Sequence, residues 1–146
     1  MDKNAYLEIN ASQRPALALF EAMGYTYISP ADCDKQRGSR YHVLLRDILR
    51  GQLRRLNRYV YAGAENEFSA ANIERAMEDL NEPLTDGLVR TSEKIYDALL
   101  LGKSYPETVG DGKMLSFNLR YIDWDNPQNN VFHVTEEFAV DSQDRQ

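Results

Sequence analysis

Four arginines recur at every fourth position between residues 46 and 58: Arg46, Arg50, Arg54 and Arg58. On a helix that spacing sets them in line along one side, and a line of guanidinium groups suits contact with phosphates. The same stripe also reads as a solvated helix face, and the residues alone leave both readings open. Other chemistry-bearing residues are sparse. Gly110-Asp111-Gly112-Lys113 has the glycines of a phosphate-cradling loop. It lacks that loop's spacing and precedes a strand pattern rather than a helix, so it reads as a turn. His42 and His133 have no Asp, Cys or His partner at metal-ligand spacing. Cys33 is the single cysteine, which excludes an internal disulfide and a multi-cysteine zinc site. It lies in a turn-like stretch and reads as incidental rather than reactive. There is no Gly-x-Ser-x-Gly and no Cys–His nucleophile pair. Residue patterns alone therefore show no complete active site.

The arginines must be positioned by the clearest helix of the chain, predicted over residues 40–58. Leu44, Leu45, Ile48, Leu49, Leu53 and Leu56 occupy one side of it, and Gly51 weakens it slightly. Residues 5–23 predict a helix, or a short turn followed by one, with Pro15 in its first turn and Gly24 closing it. A short strand at Tyr25-Thr26-Tyr27-Ile28 and a polar loop over 30–38 follow. Ser69 is the candidate N-cap of a helix over 69–79, whose apolar face is Ile73, Ala76, Met77 and Leu80. Thr85 or Asp86 caps another helix over 85–101, ended by Gly102, and residues 103–113 read as a loop.

The stretch from Met114 to Val140 organises the rest. Leu115, Phe117, Leu119 and Tyr121 alternate with Ser116, Asn118 and Arg120, as a half-buried strand does. Phe132, Val134, Phe138 and Val140 share a second parity with Glu136, and a bulge that turns Glu136 or Glu137 outward accounts for the acid. Between the two runs, Asp125-Asn126-Pro127-Gln128-Asn129-Asn130 has the residues of a chain reversal. The predicted product is an α+β domain whose helical N-terminal part packs on an antiparallel strand pair.

A chain of 146 residues, 42% hydrophobic and 27% charged, has the size and composition of one soluble globular domain. No apolar run approaches the roughly 20 residues of a membrane helix, and the first residues, MDKNAYLEINAS, contain no apolar signal core. A cytoplasmic protein with no membrane partner is expected. The net charge of −6 is uneven: residues 1–58 carry +4 and residues 59–146 carry −10. An acidic chain is not an obvious nucleic-acid binder, but its basic first part keeps that option open locally.

One ordered set of residues is more specific than composition. It runs from Glu8 and Gly24-Tyr25 through Val43-Leu44-Leu45, Leu53, Leu56-Asn57, Ile73, Ala76, Asn81, Leu84 and Leu101-Gly102. It ends in Tyr121-Ile122-Asp123-Trp124, Asn126-Pro127, Asn129-Asn130, Phe132, Val134, Phe138 and Val140. This series resembles the N-terminal segment of the restriction (R) subunit of type I restriction–modification enzymes. The resemblance covers nearly the whole chain, and its most diagnostic piece is IDWDNPQNNVFHV.

The resemblance implies a restriction-endonuclease-like domain of the PD-(D/E)xK type, followed by an ATP-dependent helicase-like motor. It also implies docking on methyltransferase (M) and specificity (S) subunits. Such a nuclease uses an Asp, a Glu-x-Lys pair and Mg²⁺: carboxylates hold the hard cation through oxygen, while lysine and metal stabilise charge on phosphate and attacking water. In the family these residues follow the strand that ends here near Val140, in an Arg-Pro-Asp and then a Glu-x-Lys stretch. Here Asp144-Arg145-Gln146 stands there instead, so those catalytic residues do not carry over. Glu8 matches the acidic position that these nucleases place near the metal. It reads equally as a solvated glutamate favoured by the helix dipole. Asp123 reads as holding the following turn rather than binding metal.

The expectation is thus that residues 1–146 are an N-terminal fragment of an R subunit, a partial nuclease domain ending before its signature. The fragment itself is expected to be inactive and to hold no cofactor, with Mg²⁺ and ATP belonging to the full-length family. Its partners are DNA and, through the full-length protein, the M and S subunits. The alternative is a non-catalytic DNA- or subunit-binding module that uses Arg46, Arg50, Arg54 and Arg58.

Overall fold

A computed structural model describes residues 12–81 and 83–141. The chain divides into two compact units, an inner one over residues 46–130 and a flanking one built from the segments on either side. The fold is mixed α+β. Among the described residues no helix is long and apolar enough to cross a membrane.

In the flanking unit, α1 (Arg14–Ala22) has Pro15 in its first turn, where a missing N–H costs nothing. Strand β1 (Thr26–Tyr27) pairs in parallel with β6 (His133–Val134), near the end of the described chain. Thr26 N–H donates to the Phe132 carbonyl at 2.8 Å and Ile28 N–H to that of Val134 at 2.9 Å. Phe20, Tyr25 and Phe132 form an aromatic series with centroids 5.1 and 5.4 Å apart. The predicted polar loop over 30–38 is a helix, α2 (Pro30–Arg37). Its signals are local: Ser29 Oγ accepts from Asp32 N–H at 3.1 Å, Pro30 opens the helix, and Gly38 closes it at φ +73°. Cys33 is buried on this helix rather than lying in a turn. Arg37 is buried too, paired with Asp34 at 2.6 Å and lying 4.1 Å above the Phe138 ring.

In the inner unit, α3 (Arg46–Leu56) is shorter than the predicted 40–58 helix. His42, at the expected start, gives its carbonyl to the Arg37 guanidinium at 3.3 Å instead of to a helical N–H. A hairpin with no strong sequence signal follows: β2 (Tyr59–Tyr61) and β3 (Ala64–Asn66) turn at Ala62 and Gly63, both at positive φ. Helix α4 (Ala70–Asp79) begins at the Ser69 cap as expected and buries Ile73, Ala76 and Met77. Helix α5 (Leu88–Leu101) starts at Gly87, after a 3₁₀ turn at Leu84–Asp86, so Thr85 and Asp86 do not cap it.

The largest correction concerns the strands. The strand predicted from Leu115, here β5 (Lys113–Leu119), does not pair with the Phe132–Val140 run. It pairs antiparallel with β4 (Lys103–Val109), in the stretch predicted as a loop, from Lys103 opposite Leu119 to Val109 opposite Lys113. Pro106 hid β4 from a propensity reading, since proline is confined to strand positions that need no N–H. The Gly110–Gly112 segment is the hairpin turn, as expected, with Asp111 and Gly112 at positive φ. Gly102 enters β4 at φ +75°, and a Cβ there would collide with the Leu119 carbonyl oxygen. The core of this unit joins Leu53, Phe68, Ile73, Ala76, Met77, Tyr105, Leu119 and Tyr121.

Candidate functional site

Helix α3 presents the arginine stripe because Leu53 is fully buried and Leu49 packs on the core. The four arginines meet different fates. Arg46 Nη2 donates to Glu78 Oε1 at 2.6 Å and lies 3.5 Å from Glu74 Oε2. Arg50 Nε donates to Glu74 Oε1 at 2.6 Å, and its Nη1 to Asp47 at 2.8 Å. Glu74 and Glu78 are one turn apart on α4, so two arginines on α3 clamp two acids on α4. The hydrogen bond from Arg50 holds the Glu74 carboxyl below its ordinary range, and the charge of Arg46 adds to this. The N-terminal half of the stripe is therefore a brace between helices.

The other half is more open. Arg54 is exposed and has no acidic partner among the described residues. Arg58 donates to the carbonyls of Arg54 and Asn57 and faces Glu67 at 3.2 Å in an exposed pair. Arg55, outside the stripe, donates to the Asn129 carbonyl and to Gln52 Oε1. It lines a hollow of about 230 Å³ with Leu56, Asp123 and Asn129.

That contact joins α3 to the Asp123–Asn130 loop, whose turn is held by its own side chains. Asp123 accepts from Asn126 N–H and from Asn129 Nδ2, both at 3.0 Å. These bonds hold its carboxyl below the usual range. Asn130 Oδ1 accepts from Asp123 N–H at 2.9 Å, and its Nδ2 donates to the carbonyls of Asp123 at 2.9 Å and Pro127 at 3.0 Å. Asp123 thus holds the turn, with both carboxylate oxygens engaged. Asn57, buried after the end of α3, donates to the carbonyls of Leu53 and Arg120 and accepts from Arg120 N–H, all within 2.9 Å. Pattern reading gave Asn57 and Arg55 no role, because their partners lie far away in sequence or are backbone atoms.

A second hollow, about 440 Å³, is lined by Asp79, Lys94, Asp97, Ala98, Leu101 and Lys103. Lys94, in its lining, pairs with Asp86 outside it at 2.8 Å. Asp79 accepts from Tyr105 Oη at 2.5 Å and pairs with Lys103 at 3.1 Å, and burial pushes the Tyr105 hydroxyl far above its ordinary pKa. Neither histidine joins a polar cluster. His42 Nδ1 lies 3.2 Å from the Arg37 carbonyl, and desolvation lowers the pKa of His133.

Glu8 lies outside the described residues. Among those described, no group of three or more His, Cys, Asp or Glu is placed to hold a metal ion. The described donor set therefore does not fit a Mg²⁺ centre. Compared with known proteins, residues 5–146 match the family described as type I restriction enzyme R protein N terminus. No curated protein and no solved structure matches the chain.

Proposed function

Because the chain belongs to the type I restriction enzyme R protein N-terminus family, we propose that it contributes DNA contact, rather than bond-breaking chemistry, to a restriction subunit. The family match over residues 5–146 carries this reading. It makes the chain an N-terminal R-subunit region with a restriction-endonuclease-like fold class. DNA and the M and S subunits are its proposed partners, in the cytoplasm. Arg46, Arg50, Arg54 and Arg58 share the DNA contact unequally. Arg54 has no acidic partner to exchange among the described residues, and the exposed Arg58–Glu67 pair is weak enough to yield to a phosphate. Arg46 and Arg50 must first leave Glu74 and Glu78. The sequence has no nucleotide-binding loop and no Glu-x-Lys pair, so the chain by itself hydrolyses neither ATP nor DNA.

A gel-shift titration with duplex DNA, at low and at physiological salt, tests the reading. Binding is expected at low salt and to weaken steeply as salt rises, through loss of counterion release. Arg54→Ala should weaken it more than Arg46→Ala. Binding that survives replacement of all four arginines by alanine would sink the DNA contact. Plasmid nicking that needs Mg²⁺ and disappears in Glu8→Ala would overturn the absence of chemistry.

A further inference from the structure

The β4–β5 ladder has two outer edges, and the inner unit treats them differently. On β4, Pro106 has no N–H to offer, and its carbonyl accepts Asn72 Nδ2 at 2.6 Å. Glu107, next along, is buried and accepts from Ser69 N–H and Asn72 Nδ2, both at 2.8 Å. The N-terminal turn of α4 therefore closes this edge. On β5 no such cover exists: no backbone group of residues 113–119 bonds outside the β4 ladder among the described residues.

Burial shows the same asymmetry. Tyr105, Glu107 and Val109 of β4 are buried, whereas Leu115 and Lys113, opposite the last two, are exposed. Leu115 lies on the same face of β5 as the buried Leu119 and is still 42% exposed. The edge also lacks the usual protection, with no proline and no charge from Met114 to Leu119.

The direction of the free groups follows from Pro106. Its carbonyl points away from β5, so the Pro106–Ser116 pair is one whose backbone groups face out of the ladder. Alternation then directs the N–H and C=O groups of Met114, Ser116 and Asn118 to the open edge. We propose that this edge pairs antiparallel with the β5 edge of a second copy, about a two-fold axis at Ser116, to give a four-stranded sheet. In that register Ser116 faces Ser116, Met114 faces Asn118, and Leu115 faces Phe117 of the second copy. The free groups of 114, 116 and 118 all find partners. The only charged residue, Lys113, falls opposite Leu119, so no like charges meet. Leu115 is covered by a ring that already stacks on Tyr59 with centroids 4.4 Å apart. A two-fold interface requires this kind of self-complementarity. The inference is independent of the DNA reading above.

Sedimentation equilibrium of the 146-residue chain across concentration tests it. The unsubstituted protein should associate to a dimer. Ser116→Lys sets like charges directly opposite each other at the axis and should raise the dimer dissociation constant severalfold, up to about fivefold. Its circular dichroism spectrum and melting midpoint as a monomer should not change, because residue 116 is exposed. Ser116→Cys should give a disulfide-linked dimer on mild oxidation, while the unsubstituted protein, with only the buried Cys33, should not. A strict monomer at high concentration overturns the proposal. So does a dimer that ignores Ser116→Lys and leaves Ser116→Cys uncross-linked.

Discussion

Asn57 illustrates how much of the inner unit depends on single amides. It closes the end of α3 through the Leu53 carbonyl and pairs both backbone groups of Arg120, the first residue beyond β5. Alanine at 57 would strip the Arg120 backbone of its partners where the amide is buried. Asn57→Ala is therefore expected to cost about 2 kcal/mol, within the range for unsatisfied buried polar groups, as a lower urea midpoint with unchanged slope. Asn130 works in the same way on the Asp123 loop, donating and accepting at once. The sequence shows these residues but not their roles. An asparagine in a turn-rich stretch signals chain reversal, while one 63 positions from its partner signals nothing. Asp123 was legible as a turn-holder because its partners Asn126 and Asn129 are three and six residues away.

At the scale of elements, helix ends were more legible than strand partners. Ser69 caps α4 as its spacing predicts. The same grammar stands at Ser29, Pro30 and Gly38, yet the polar stretch between them lacks an apolar stripe and so reads as a loop. Capping and the Arg37–Asp34 pair hold α2, rather than a broad apolar face. Ser29→Ala should then cost about 1 kcal/mol, a typical loss for an N-cap, and a thermal melt will show it; no change would mean that Cys33 and Arg37 anchor the helix alone. Strand β4 was missed for the opposite reason. Proline lowers its local propensity, and only the covering by Asn72 and the ladder with β5 make its conformation favourable. Arg46, Arg50 and Arg54 lie on α3 as their spacing predicts, whereas Arg58 falls past its end at Leu56; the division of the stripe into a brace and an open half depends on Glu74 and Glu78, which belong to another helix.

For the whole molecule, pH collects several of these local effects. Desolvation lowers the pKa of His133 below its ordinary 6.5, so the unfolded chain takes up that proton first as pH falls. Glu74 and Asp123 are held below their ordinary 4.5 and 3.8 by hydrogen bonds. The stability they contribute is complete above those values and is lost as pH falls through the lowered, folded-state values. Urea midpoints should be flat from pH 8 to about 6.5, decline slightly below that, and fall more steeply below about 4. A midpoint that rises on acidification would contradict this assignment. The sequence by itself determined the α+β class, the helical line of Arg46, Arg50 and Arg54, the Ser69 cap, the helix start at Pro15, and the family resemblance in IDWDNPQNN. All of these rest on spacing within a few turns of chain or on ordered residue identity. Tertiary structure alone decided that β5 pairs with β4, that β6 returns to β1, and which arginines are bound to acids. Each of those outcomes depends on contacts between segments distant in sequence, whose closure no local propensity records.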